Sequence, residues 1–304
     1  MRAKPSRPLA TLVGFAAVLL WALLALFTVA SGKVPPFQLI AMAFAVGALI
    51  GLISMAFRPG GVSELRQPPI VWLVGVGGLF GYHFFYFTAL RHAPAVEASL
   101  IAYLWPLLIV VFSALLPGER LGLHHVAGAI LGLGGAALIV TGGRGIAFDP
   151  AFGLGYAAAI ACALTWSSYS VISRRFAMVP TGAVTGFCLA TSVLAAFAHM
   201  LLEATIWPAS ALEWAATLGL GLGPVGLAFY AWDHGVKHGD IQVLGAASYS
   251  APLLSTIVLI VTGFAVFTPA VGIACLLITG GAVLAAKDML VRRKRGPRRD
   301  QAGT

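Results

Sequence analysis

From residue 9 to residue 286 the chain alternates long apolar runs with short polar turns. A helix needs about 20 apolar residues to cross roughly 30 Å of hydrocarbon. Cutting the runs at that length predicts ten spans, at 9–30, 36–57, 69–90, 94–116, 122–142, 152–173, 181–203, 211–232, 241–263 and 267–286. The expected fold class is therefore all-α, an integral membrane protein of ten transmembrane helices. Two of the runs carry an interior proline in a shared layout. Span 4 reads Glu97-Ala-Ser-Leu-Ile-Ala-Tyr103-Leu-Trp105-Pro106-Leu-Leu, and span 9 reads Val243-Leu-Gly-Ala-Ala-Ser-Tyr249-Ser-Ala-Pro252-Leu-Leu. Proline lacks the amide donor and crowds the preceding turn, so both helices should bend near Pro106 and Pro252, which become candidate hinges.

The two proline segments stand 146 positions apart, and other residues repeat at that offset. Gly75 and Gly77 match Gly221 and Gly223, Arg91-His92 matches Lys237-His238, and Gly134-Gly135 matches Gly280-Gly281. Trp21 precedes Pro35 by the same 14 residues that separate Trp166 from Pro180. A run of such matches points to an internal duplication. The expected units are 1–146 (spans 1–5), 147–290 (spans 6–10) and a basic cytoplasmic tail, 291–304. Five spans per unit is an odd number, so the second unit enters the membrane from the other side. Inverted repeats of this kind supply two related conformations around a site near the midplane.

Composition agrees with the pattern: 60% of residues are hydrophobic and only 10% charged, against about 25% charged in soluble domains. A net charge of +9 raises the question of nucleic acid, and the placement of the charge answers it. Sixteen Lys and Arg, from Arg2 to Arg299, fall on the side of the two termini, and only Lys33, Arg91 and Arg144 fall on the other. The positive-inside rule then puts both termini in the cytoplasm, with anionic lipid as the partner of the basic charge and nucleic acid disfavoured. Arg2, Lys4 and Arg7 precede an apolar run too long for a signal peptide, so that run is kept as span 1. Cys162, Cys188 and Cys275 have no paired spacing, and neither a disulfide, a metal nor a cofactor is expected.

These features carry a resemblance. The two five-span halves, the early Trp21 and Trp166, the short Arg91-His92-Ala-Pro94 and Lys237-His238-Gly-Asp240 turns, the Pro-Leu-Leu kinks and the Gly-rich spans 5 and 10 resemble the EamA type of the drug/metabolite transporter superfamily. The aromatic-rich spans 3, 4 and 6 are similar to those of YddG-like aromatic amino-acid exporters. The resemblance covers nearly the whole chain except the tails. It implies a basket of ten helices around a central cavity in a bacterial inner membrane, moving small organic solutes outward.

Glycines four apart, Gly47 and Gly51, Gly128 and Gly132, Gly182 and Gly186, are expected to let helices approach closely. Gly-rich spans 3 and 8 are expected to pack closely too, and the glycines beside Pro224 also permit bending. No catalytic motif is present, which leaves polar and aromatic side chains at lipid depth. Trp166, Tyr169, Ser170 and Ser173 share one helical face. Tyr82, His83 and Tyr86 on span 3, Tyr103 on span 4 and Tyr249 on span 9 add comparable faces. Aromatic faces attract apolar side chains and amines, and hydroxyl tips hydrogen-bond carboxylates, so a neutral amino acid with a bulky side chain fits. A phosphorylated cargo would want mid-span Lys or Arg, which are lacking. Asp233 faces two expectations, a helix pair with Lys237 four residues on or a substrate amine. Glu97 is expected near a helix N-terminus; His83, beside two tyrosines, is expected either to titrate or hydrogen-bond a substrate or to be a satisfied buried histidine, and His199 is expected to be structural. The expected function is export of neutral amino acids by alternating access, with a monomer as the default assembly. Its rivals are an efflux pump for cationic or planar drugs, a membrane-embedded transferase, for which the loops are too short and plain, and a passive channel.

Overall fold

The computed structural model describes residues 6–59, 61–145, 148–263 and 265–288. The basic stretch 291–304 lies outside the described residues. Among the described residues nine helical segments are long and apolar enough to cross a membrane: Arg7–Ala30 (span 1), Pro36–Ala56 (2), Pro69–His92 (3), Ala95–Leu115 (4), Leu123–Thr141 (5), Pro150–Arg175 (6), Thr181–Leu202 (7), Ala211–His238 (8) and Ile241–Val261 (9). A tenth apolar helix, Pro269–Ala285, has 17 residues, about 26 Å at 1.5 Å per residue. Helix starts follow the prolines, since Pro36, Pro69 and Pro269 sit in first turns whose amides lack intrahelical partners. Gly142, with φ of 61°, closes span 5 in the left-handed region that residues with a Cβ seldom adopt.

The bends lie one turn before the prolines. Span 4 breaks between Ala95–Ala102 and Trp105–Phe112, and span 9 between Ile241–Ala247 and Ser250–Val261. Proline clashes with the carbonyl four residues back, so the helix opens at Tyr103 and Tyr249 instead of at Pro106 and Pro252 themselves. The glycine-rich spans differ from each other. Span 3 is one unbroken helix, whereas span 8 carries a π-helical turn at Gly223–Leu227, around Pro224. Span 1 breaks after Trp21 without a proline, where the Leu23 amide bonds back to Leu20 in a tightened turn.

Span 3 packs along span 6, span 1 along span 8, span 2 along span 7, and span 5 along the tenth helix. Trp105–Phe112 of span 4 packs along Ile241–Ala247 of span 9. Exchanging the two five-span sets maps this list of neighbours onto itself. Small residues make the approaches possible: a Cβ on Gly47 would come within 2.9 Å of the Gly226 backbone, and one on Gly14 within 2.9 Å of Gly235. Gly128 and Gly281 meet in the same way between span 5 and the tenth helix; of the glycines expected to pack, Gly47 and Gly128 face helix backbones, while Gly51, Gly132, Gly182 and Gly186 face side chains. Large apolar side chains such as Leu12, Leu73, Met200 and Leu276 remain exposed around the outside, as lipid contact requires.

Candidate functional site

Two turns of span 6 carry the centre of the site. Trp166, Tyr169, Ser170 and Ser173 are all buried on one face, as their spacing predicts. The Trp166 ring is surrounded: Tyr82 lies 5.4 Å away between centroids, Tyr169 5.2 Å, Phe229 5.6 Å, Trp21 5.8 Å, Trp232 6.2 Å and Trp105 6.3 Å. Spans 1, 3, 4, 6 and 8 therefore meet in one ring cluster. Edge-to-face contacts dominate it, the geometry that the ring quadrupole favours.

Indole N–H groups buried in such a cluster need acceptors. Trp21 donates to the Pro224 carbonyl at 3.1 Å, where the π-turn of span 8 presents it, and Trp232 donates to Ser170 Oγ at 3.0 Å. Among the described residues the N–H groups of Trp105 and Trp166 have no such partner, and neither has the Tyr103 hydroxyl. Tyr82, Tyr86 and Tyr103 are only partly buried, although they sit at mid-span among other side chains. Tyr82 and Tyr86 stack at 6.1 Å with planes 2° apart, and Ser99 lies 3.5 Å from the Tyr86 hydroxyl. His83 packs edge-on to Phe44, and its Nδ1 lies 2.7 Å from the Leu79 carbonyl. A carbonyl oxygen only accepts, so His83 donates through Nδ1 within its own helix.

Two expected lining residues lie elsewhere. Tyr249 is fully buried in a second apolar cluster with Val110, Ala129, Leu253 and Ile278, against Gly132, and its hydroxyl accepts a hydrogen bond from the Leu107 amide at 3.1 Å. Asp233 is buried beside Tyr169, with both carboxylate oxygens taken by other partners. Its Oδ1 pairs with Lys237 Nζ at 2.8 Å and its Oδ2 accepts from Thr181 at 2.8 Å, while Lys237 also donates to the Val179 carbonyl. The helix-pair expectation for Asp233 describes this geometry, and the paired charge leaves the ring cluster uncharged.

Charge gathers at the two ends instead. At the end holding Arg7, Glu119 accepts from Arg7 at 2.8 Å and from Arg174; Arg174 donates to the Val236 and Gly239 carbonyls at 2.8 Å each, and Arg7 lies 3.3 Å from Asp240. The Asp240 amide donates to Thr11 Oγ1 at 2.8 Å. Spans 1 and 6, the 4–5 turn and the 8–9 turn are joined there. A cavity of about 1440 Å³ opens against this network, lined by its members Arg7, Glu119 and Asp240 together with Asp288, Leu12 and Val283. Both described chain ends therefore lie at the same end of the bundle. At the far end Glu203 accepts from the Phe37 and Gln38 amides, from Arg91 at 2.8 Å and lies 3.0 Å from His199 Nδ1, and Tyr156 donates to Glu97.

Sequence reasoning missed most of the ring cluster. Trp21 had appeared only as a repeat marker and Trp105 only as the neighbour of Pro106, while Phe229 and Trp232 carried no signal beyond their place on span 8. The Glu119 network was invisible because its members come from four separate segments. No group of His, Cys, Asp and Glu among the described residues is arranged to hold a metal ion.

Residues 8–141 match the EamA-like transporter family. The chain is 56% identical to the aromatic amino acid exporter YddG of Ancylobacter novellus, over 95% of this chain and 100% of that one. It is 25% identical to the protein of the same name from Escherichia coli, over 92% of this chain and 97% of that one. A crystal structure of a protein 56% identical to this chain superposes with a TM-score of 0.90, over 95% of this chain and 99% of that one.

Proposed function

The chain belongs to the EamA-like transporter family, and on that premise we propose that it exports neutral amino acids, preferring aromatic or bulky ones, across a bacterial inner membrane. The observation that carries this reading is the uncharged ring cluster around Trp166 with its unpartnered donors. Rings pack against a bulky side chain and attract an amine through the quadrupole. The Trp105 and Trp166 N–H groups and the Tyr103 hydroxyl are free to donate to a carboxylate, and Tyr82, Tyr86 and Ser170 complete the lining.

The mechanism is alternating access by two inverted five-span repeats, 1–146 and 147–290. Three observations support it: the neighbour list is unchanged when the halves are exchanged, the matching Trp21 and Trp166 meet in the cluster, and the Tyr103 and Tyr249 bends correspond. The tenth helix completes the tenth crossing, and both termini lie in the cytoplasm, the side richest in Lys and Arg. The Glu119 ion pairs support closure of that face, and the part exposure of Tyr82, Tyr86 and Tyr103 supports an opening toward the other. Labelled phenylalanine in proteoliposomes tests the reading, with and without a pH gradient. Saturable uptake, weakened by Trp166→Ala, is expected; flux that never saturates, or no transport of any neutral amino acid, overturns it.

A further inference from the structure

The tyrosines that precede the two Pro-Leu-Leu kinks occupy matching positions in opposite states. The Tyr249 hydroxyl is fully buried and accepts from the Leu107 amide at 3.1 Å. Leu107 is the third residue of Trp105–Phe112, and the first amides of a helix lack intrahelical acceptors. The phenol oxygen of one half thus caps the broken helix of the other. At the same offset of 146 positions, the group matching the Leu107 amide is the amide of Leu253, directly after Pro252. Among the described residues no hydrogen bond joins the Tyr103 hydroxyl to Leu253 or to anything else, and Tyr103 is part-exposed. The residues are equivalent; their surroundings in this conformation are not.

We propose that Tyr103 and Tyr249 exchange roles during transport. With the cleft open to the far face, Tyr249 caps span 4 and the Tyr103 hydroxyl points to the cargo. With the protein open to the termini face, Tyr103 caps span 9 at Leu253 and Tyr249 swings out to take the polar end of the cargo. One hydroxyl therefore serves cargo on each side while its counterpart stabilises the closed half. This rests on the inverted-repeat exporter reading.

The test compares labelling by an impermeant maleimide at two reporters, Ser99→Cys toward the far face and Ser173→Cys toward the termini face, with Cys162, Cys188 and Cys275 replaced by alanine. Tyr249→Phe removes the cap of the present state and should lower the Ser99→Cys to Ser173→Cys labelling ratio about fivefold, the effect of one net hydrogen bond. Tyr103→Phe should raise the ratio by a similar factor. The double variant, lacking both caps, should return close to the parent ratio, which a simple loss of stability at Tyr249 would not produce. Shifts in the same direction, unchanged ratios, or a double variant that tracks Tyr249→Phe overturn the exchange. Failure of the exporter reading shows separately, as wild-type vesicles that take up no labelled amino acid, since the labelling ratio requires no cargo.

Discussion

Glu119→Gln is the substitution that probes closure of the termini face most directly. The side chain keeps its shape and loses its charge while sitting between two guanidinium groups. The Arg7 pair is worth little, because the Arg7 side chain is 45% exposed and such pairs contribute about 0.5 kcal/mol. The Arg174 pair matters more: the two side chains are 17% and 7% exposed, and breaking buried pairs costs about 3–5 kcal/mol. Arg174 keeps its bonds to the Val236 and Gly239 carbonyls, so the loss is set lower, at about 2–3 kcal/mol in all. At 1.4 kcal/mol per factor of ten, that raises the population open at this end by ~30- to 150-fold. Hydrogen exchange reads it out at the Asp240 amide, whose partner is Thr11 across the interface, because exchange through local opening scales with the open population. Exchange accelerated less than about threefold at Asp240, in a variant that still melts cooperatively, would refute the gate.

Glu203→Gln should lower the melting temperature in detergent, because a carboxylate that is 3% exposed and joins spans 2, 3 and 7 contributes about 3 kcal/mol; an unchanged transition counts against that account. Pro106→Ala and Pro252→Ala should each reduce transport and alter the labelling balance between faces, and normal values for both would remove the hinge reading. Gly132→Val should be destabilising by about 2 kcal/mol or more, since the Tyr249 ring occupies the added volume, and a melting curve decides it. A planar aromatic cation should compete with phenylalanine for uptake if the ring cluster is the site; an absence of competition at saturating cation argues for cargo held elsewhere.

Legibility from sequence differed by scale. Spans 1 to 9 and the shorter tenth helix were readable because hydrophobic length is a local property, set by the cost of leaving backbone amides and charges in hydrocarbon. The span 6 stripe and the spacing of the packing glycines followed from periodicity within single segments, and the matched Tyr103 and Tyr249 from a repeat offset between two. The break after Trp21 had no such mark, since no proline stands there. Asp233 and Tyr249 were placed in the lining because sequence shows which residues are polar at depth, without showing which partners satisfy them.

By itself, then, the sequence determined an all-helical membrane chain, residues that recur 146 positions apart and a wealth of rings at mid-depth. Tertiary structure decided which rings meet. The Trp21 bond to Pro224 spans 203 positions and the Asp240 bond to Thr11 spans 229. Contacts across such separations depend on where the small residues of two distant helices coincide, and that close fit of surfaces has no signature in either helix alone.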